Sequence, residues 1–194
     1  MDIFGSSGGA VDGLALVANH PEQVRTLVAH EPPAASVLPD REEALAAAAD
    51  IQDIYMRDGL GPAMAKFIAL TSLKGPIPAD WTEQPAPNPG DFGLPTEDDG
   101  SRDDPLLGNM IPGTHYQFDF DALCAAPTRI VVAAGAESEG EFTYRAAFAV
   151  AEQLGTEAAI FPSHHAGFLG GEFGQRGDPD AFAGTLRRVL SKDS

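Results

Sequence analysis

Phe4-Gly5-Ser6-Ser7-Gly8-Gly9-Ala10 is the stretch that decides the fold of this chain. Centred on Ser7 it reads Gly-x-Ser-x-Gly, and the reason for that spacing is steric. A serine on a sharp turn between a strand and a helix has its Oγ pushed out of the backbone, at the cost of strained dihedrals. Strand and helix then approach so closely that the residues two positions to either side must be small, a need that Gly5 and Gly9 meet. The amide of Gly8, opening the following helix, would point at an oxyanion formed beside Ser7. The flanks supply the context. Ile3 and Phe4 end an apolar strand, and Val11, Leu14, Ala15 and Ala18 recur at helical spacings of three and four. Two rival glycine-rich motifs fail: a phosphate loop needs Lys-Ser/Thr after its last glycine, and a dinucleotide fingerprint needs its glycines in another order.

Working outward, His20-Pro21-Glu22 closes the first helix because proline cannot continue it. Val24 to Ala29 is short, apolar and β-branched and reads as a parallel strand, stopped by His30-Glu31-Pro32-Pro33. Strand, helix and strand make a βαβ unit. Composition then changes from Leu38 to Asp121. Asp40 can cap a helix running to about Gly59, and a second helix spans about Pro62 to Leu73. Lys74 to Pro105 is a loop rich in Pro, Gly and Asp, and a short helix is expected around Leu106 to Phe118. This block, 38–121, reads as a helical lid inserted into a core made of 1–37 and 122–194. Sheet patterning returns at Arg129-Ile130-Val131-Val132-Ala133-Ala134, ending at Gly135. A helix from about Phe142 to Leu154 with Gly155 as its cap, a strand Glu157 to Phe161, and a final helix from Asp178-Pro179 to about Leu190 complete the chain. The fold class is therefore α/β, a mostly parallel sheet flanked by helices.

The 194 residues suffice for one domain, or one domain with an elaborated insertion, and for a real core. There is no apolar run of about 18 residues, so no membrane span is expected, and no secretory leader is expected either. A single cysteine, Cys124, excludes an internal disulfide and fits a reducing cytoplasm. Twelve Lys+Arg against 29 Asp+Glu give a formal net charge of −17. That field repels nucleic acid and anionic membrane surfaces and favours a neutral or cationic small-molecule substrate over a highly anionic one. His20, His30 and His115 lack metal-ligand spacing, and the His164-His165 pair has no further ligands, so neither a metal nor a cofactor is expected.

A serine nucleophile needs a base in hydrogen-bond reach and a carboxylate to orient that base. In an open α/β sheet such groups gather at the carboxyl ends of the strands. Here Ser7 follows the first strand, acids follow the strand ending at Gly135, and histidines follow the last strand. Serine, acid, histidine is the chain order that goes with the elbow motif.

The ordered set Gly5-Ser6-Ser7-Gly8-Gly9, Val28-Ala29-His30-Glu31-Pro32-Pro33, Val132-Ala133-Ala134-Gly135-Ala136-Glu137 and Pro162-Ser163-His164-His165-Ala166-Gly167-Phe168 resembles the α/β-hydrolase superfamily. Within it, the likeness is to small actinobacterial esterase-like hydrolases, and it covers most of the chain outside the insertion. The resemblance implies Ser7 as nucleophile and His165 as base, because His165-Ala166-Gly167-Phe168 fits the family pattern better than a frame set on His164. It places an aspartate about three residues past the glycine that ends the strand. Ser138 stands there, between Glu137 and Glu139, so Glu137 is taken as the acid with Glu139 second. Members that carry the acid after the preceding strand nominate Glu31. The implied activity is cofactor-free hydrolysis of a small-molecule ester through an acyl-serine intermediate. One departure matters. The resembling enzymes begin with several strands before the elbow, and one of their loops donates a second oxyanion N–H, whereas Met1 here lies in the elbow strand. Two expectations follow: an N-terminally incomplete hydrolase domain, or an inactive remnant that binds a ligand or a partner chain. Either leaves an open sheet edge beside Ile3 through which a homo-oligomer could form.

Overall fold

Short runs of β-branched and small apolar residues, each followed by a helical repeat, build a parallel sheet flanked by helices. The computed structural model describes residues 1–191, the Phe173 side chain aside. Its elements run β1 (Asp2–Ser6), α1 (Gly8–Asn19), β2 (Thr26–His30), α2 (Arg41–Asp58), α3 (Leu60–Thr71), α4 (Pro105–Gly108), α5 (Met110–Thr114), α6 (Phe120–Ala125), β3 (Arg129–Gly135), α7 (Phe142–Gln153), β4 (Ala159–Phe161) and α8 (Pro179–Ser191). They form two compact units. One is Met1–Pro33 with the chain from Gln117 onward, and the other is Ala34–Tyr116, against the 38–121 expected for the insertion.

In the first unit the four strands pair in parallel in the order β1-β2-β3-β4. Ser6 is in register with His30, and His30 with Ala133. Parallel pairing puts every carboxyl end on one edge, so the turn at Ser7, the exit at Glu31 and the loops after β3 and β4 share that edge. All five residues of β2 are buried, as a central parallel strand covered on both faces requires. Helix α1 lies against β1 and β2, with Leu14 and Val17 fully buried. Across the sheet, Val28, Ala133, Phe161 and Phe182 form a core onto which Phe4, Val131 and the α8 residues Leu186, Val189 and Leu190 pack. The apolar stripe of α8 is what makes that helix; its far face is polar.

The second unit is helical, with α2 against α3 and α5. Its interior carries a charge. Lys66 of α3 is buried, and its Nζ lies 2.6 Å from Asp50 of α2 and 2.6 Å from the carbonyl of Gln84. Burying such a group is costly unless it is paired and hydrogen-bonded, as it is here. Arg102 lies over the Tyr55 ring and pairs with Asp98, fixing the acidic loop onto α2.

Some boundaries differ from the sequence reading, each for a local reason. Asp40 stands at the N-cap position of α2, but its carboxylate accepts the amide of Ile77 (2.8 Å) in place of an α2 amide. The helix expected over 106–118 is two short ones, α4 and α5, broken at Gly108-Asn109. Helix α6 was not anticipated; its signal is Asp119, whose side chain caps it by accepting the amide of Ala122 at 2.9 Å. The last strand starts at Ala159, two residues later than read. Among the described residues no helix is long and apolar enough to cross a membrane.

Candidate functional site

Ser7 joins β1 to α1 with φ 55° and ψ −126°, a region that non-glycine residues avoid. Two backbone bonds hold it there. Its amide donates to the carbonyl of His30 (2.9 Å), and its carbonyl accepts the amide of Ala10 (2.9 Å), opening α1. The Ser7 hydroxyl makes no hydrogen bond among the described residues, and the residue is half-buried. As the first helical residue, Gly8 has no acceptor for its N–H inside α1.

The two flanking glycines are not equivalent. A Cβ on Gly5 would stand 2.3 Å from the carbonyl oxygen of Gly9, a contact with backbone that cannot give way, whereas a Cβ on Gly9 meets nothing within 4 Å. Close approach of strand and helix therefore restricts Gly5 alone. Gly5→Ala is expected to cost about 2–3 kcal/mol. Gly9→Ala, in the first turn of α1, should leave stability unchanged or raise it by up to about 1 kcal/mol. Chemical denaturation of the two variants checks the contrast.

At the end of β2, Glu31 has φ 46° and is fully buried. Pro32 and Pro33 cannot continue the ladder, and the chain leaves the sheet at once. The Glu31 carboxylate is surrounded by donors. The amide of Gly135 donates to Oε1 (2.8 Å), while Thr143 Oγ1 (3.0 Å) and His165 Nδ1 (2.5 Å) meet Oε2. Burial by itself would raise this carboxyl, but the hydrogen bond and charge of His165, with the Gly135 amide, outweigh it and hold it below its ordinary range. His165 lies in the loop after β4, just past Ser163, a third strained non-glycine residue (φ 68°). Its side chain is 36% exposed, so one edge is fixed by a buried carboxylate and the other is accessible. An imidazole whose Nδ1–H is held in this way keeps Nε2 free as an acceptor.

His30, immediately before Glu31, is fully buried. Its Nδ1 lies 3.0 Å from Ser6 Oγ, and its Nε2 has no partner among the described residues. An orphaned buried N–H costs more than an unused lone pair, so the proton sits on Nδ1 and is donated to Ser6. Phe4, Phe161, Phe168 and Phe182 surround the ring with centroids 5.3–6.5 Å away, and the His165 ring lies 6.0 Å away at an interplanar angle of 29°. Burial drives the His30 pKa down to about 4, against the smaller opposing pull of Glu31.

No family model matches the chain. It is similar to a hydrolase. Over 180 residues it is 32% identical to the "Uncharacterized hydrolase YraK" of Bacillus subtilis (strain 168), a match that covers 86% of this chain and 57% of that protein. The chain thus spans a little over half the length of that relative.

The site residues read from the sequence come together in part. His165, not His164, meets a carboxylate. The His164 ring is used within its own loop, Nδ1 accepting the amide of Ala166 (3.1 Å) and Nε2 lying 3.2 Å from the carbonyl of Arg176. The expectation that Glu137 faces the histidine is corrected. Glu137 is exposed on the turn after β3, where its backbone amide donates to the carbonyl of Ser163 (2.9 Å). Glu139 is exposed on the same turn. That turn runs across the edge of the sheet without aiming a carboxylate inward, and the position at His165 is already filled by Glu31. Glu31 was among the acids nominated from the sequence, through the resemblance alone; the positive φ that turns its carboxylate inward left no sequence signal. His30 was read there only as a non-ligand, and its burial beside the site was missed. Among the described residues no cluster of three or more His, Cys, Asp or Glu could hold a metal ion.

Proposed function

We propose that this chain carries a serine-hydrolase centre of the α/β-hydrolase type that cleaves small ester-type substrates. The observation that carries the reading is the buried Glu31 hydrogen-bonded to His165 at the same sheet edge as a strained, unengaged Ser7. The name of the similar Bacillus protein, a hydrolase, supports hydrolysis as the reaction class.

In this reading His165 Nε2 takes the proton of Ser7 Oγ as the oxygen attacks the ester carbonyl. The Gly8 N–H at the start of α1 faces the resulting oxyanion, a contribution of about 3–4 kcal/mol for a well-placed donor. Collapse of the tetrahedral adduct breaks the bond to the leaving alcohol, which takes the proton back from His165 and leaves an acyl-Ser7. Water, deprotonated by His165, then releases the acid and restores Ser7. Glu31 holds the imidazole and balances the positive charge it acquires in each half-reaction. The step needs no cofactor, and the −17 net charge favours neutral or cationic esters.

The test is the intact mass of the 194-residue chain after exposure to a fluorophosphonate probe, with heat-denatured protein as control. A single adduct on the native protein, mapped to Ser7, is expected. An unmodified native chain would sink the reading and favour an inactive domain that binds a ligand or a partner chain.

A further inference from the structure

His30 is a buried titratable side chain that the hydrolytic cycle does not use, yet it touches both halves of the site. Its carbonyl accepts the amide of Ser7 (2.9 Å). Its Nδ1 engages the hydroxyl of Ser6, the residue before the strained turn (3.0 Å). Its ring stands against that of His165. The carbonyl bond is one that any residue here would make, but a core filler would not need the side-chain bond to Ser6, and four phenylalanine rings already supply apolar packing there.

We propose that His30 is a positioning residue that ties the Ser7 turn to the His165 base, a role that rests on the reading of Ser7 and His165 above. The strain at Ser7 must be restrained from outside. Backbone bonds fix the peptide of Ser7, and the Ser6 hydroxyl adds a polar tie from the end of β1 to His30, which lies beside it in register. With Ser6 gripped by His30, the turn cannot relax toward an unstrained dihedral without moving a ring wedged between Phe161, Phe182 and His165. Nucleophile and base therefore share one rigid reference, and a displacement of about 1 Å between such groups is enough to cost on the order of 10²-fold in rate.

The whole chain and three variants test this: Ser6→Ala, which removes the acceptor; His30→Phe, which keeps a ring in the aromatic cage and removes the donor; and the double variant. The second-order rate of Ser7 modification by a fluorophosphonate is followed by intact mass, with kcat and KM measured on a p-nitrophenyl ester. Each single variant is expected to react about 10-fold more slowly, with the loss in kcat and KM within about twofold. The double variant should be no slower than the worse single one, because both remove the same hydrogen bond. Single variants that both react at the wild-type rate, or effects that multiply in the double variant, would overturn the proposal while leaving the serine reading intact. A wild-type chain inert to the probe would overturn both. Should His30→Phe fail to fold, Ser6→Ala alone decides, since it alters a half-buried hydroxyl and leaves the ring in place.

Discussion

Glu31→Gln is expected to lower kcat for ester hydrolysis by about 10⁴-fold, the scale of losing the correct tautomer in a serine triad. The hydrogen bonds at Glu31 explain why so small a change is costly. All three groups around the carboxylate are donors: the Gly135 amide at Oε1, and Thr143 and His165 at Oε2. Glutamine replaces one oxygen by an NH₂. With the NH₂ toward His165, Nδ1 must accept, the imidazole proton moves to Nε2, and the base is no longer able to take a proton from Ser7. With the NH₂ toward Gly135, two donors face each other in a buried site, at a cost of about 1–3 kcal/mol for the unpaired groups. Neither orientation restores the native state. Glu137→Gln and Glu139→Gln alter exposed groups and should leave kcat within about twofold of wild type. Steady-state kinetics on the three variants decides the matter. Wild-type rates in Glu31→Gln, with a loss in Glu137→Gln, would return the acid to the turn after β3.

The contrast between Glu31 and Glu137 shows what the sequence could and could not reveal. The strands, the elbow and the helices with strong periodicity were legible, because each depends on local signals: an apolar β-branched run, a glycine where strand meets helix, a proline after a helix end. The tight turn at Ser7 was legible from its glycines, and His165 was singled out over His164 by the family resemblance. The acid was not. Choosing among Glu31, Glu137 and Glu139 requires knowing which of two neighbouring strand ends faces the loop after β4, and that depends on the sheet register, which aligns His30 with Ala133 and Ala133 with Ala159. It also requires knowing which turn directs its carboxylate inward. The positive φ of Glu31 does so, and no composition or spacing rule announces a left-handed glutamate. The same blindness hid His30, whose burial comes from four phenylalanines that are up to 178 positions apart in the chain, from Phe4 to Phe182. Gly9 fails in the opposite way: the motif asks for a small residue there, but the approach of α1 is set at Gly5.

Acidification should unfold this protein well before the bulk of its carboxylates is neutralised. The sign follows from His30. Its pKa is about 4 in the folded chain against an ordinary 6.5, so between those values the unfolded chain binds a proton that the folded one refuses. The stability this group contributes is fully present above pH 6.5 and falls as the pH drops toward 4, by about 3 kcal/mol in total. Glu31 works in the same direction lower on the scale. Its carboxyl is held below the ordinary range when folded, so unfolding takes up a proton as the pH falls through 4.5 and below. One effect opposes both: the formal net charge of −17 at neutral pH repels itself, and acid relieves that repulsion. Repulsion spread over exposed carboxylates is screened by salt, whereas the cost of charging a ring among phenylalanines is not. In about 0.15 M salt the buried pair should therefore dominate, and the urea midpoint should fall steeply between pH 6.5 and 4.5. His30→Phe removes the group responsible and should flatten that slope, leaving only the loss from Glu31 below 4.5. A wild-type midpoint that holds constant or rises over this interval would mean that His30 takes up its proton in the folded state, with Glu31 beside it to hold the charge.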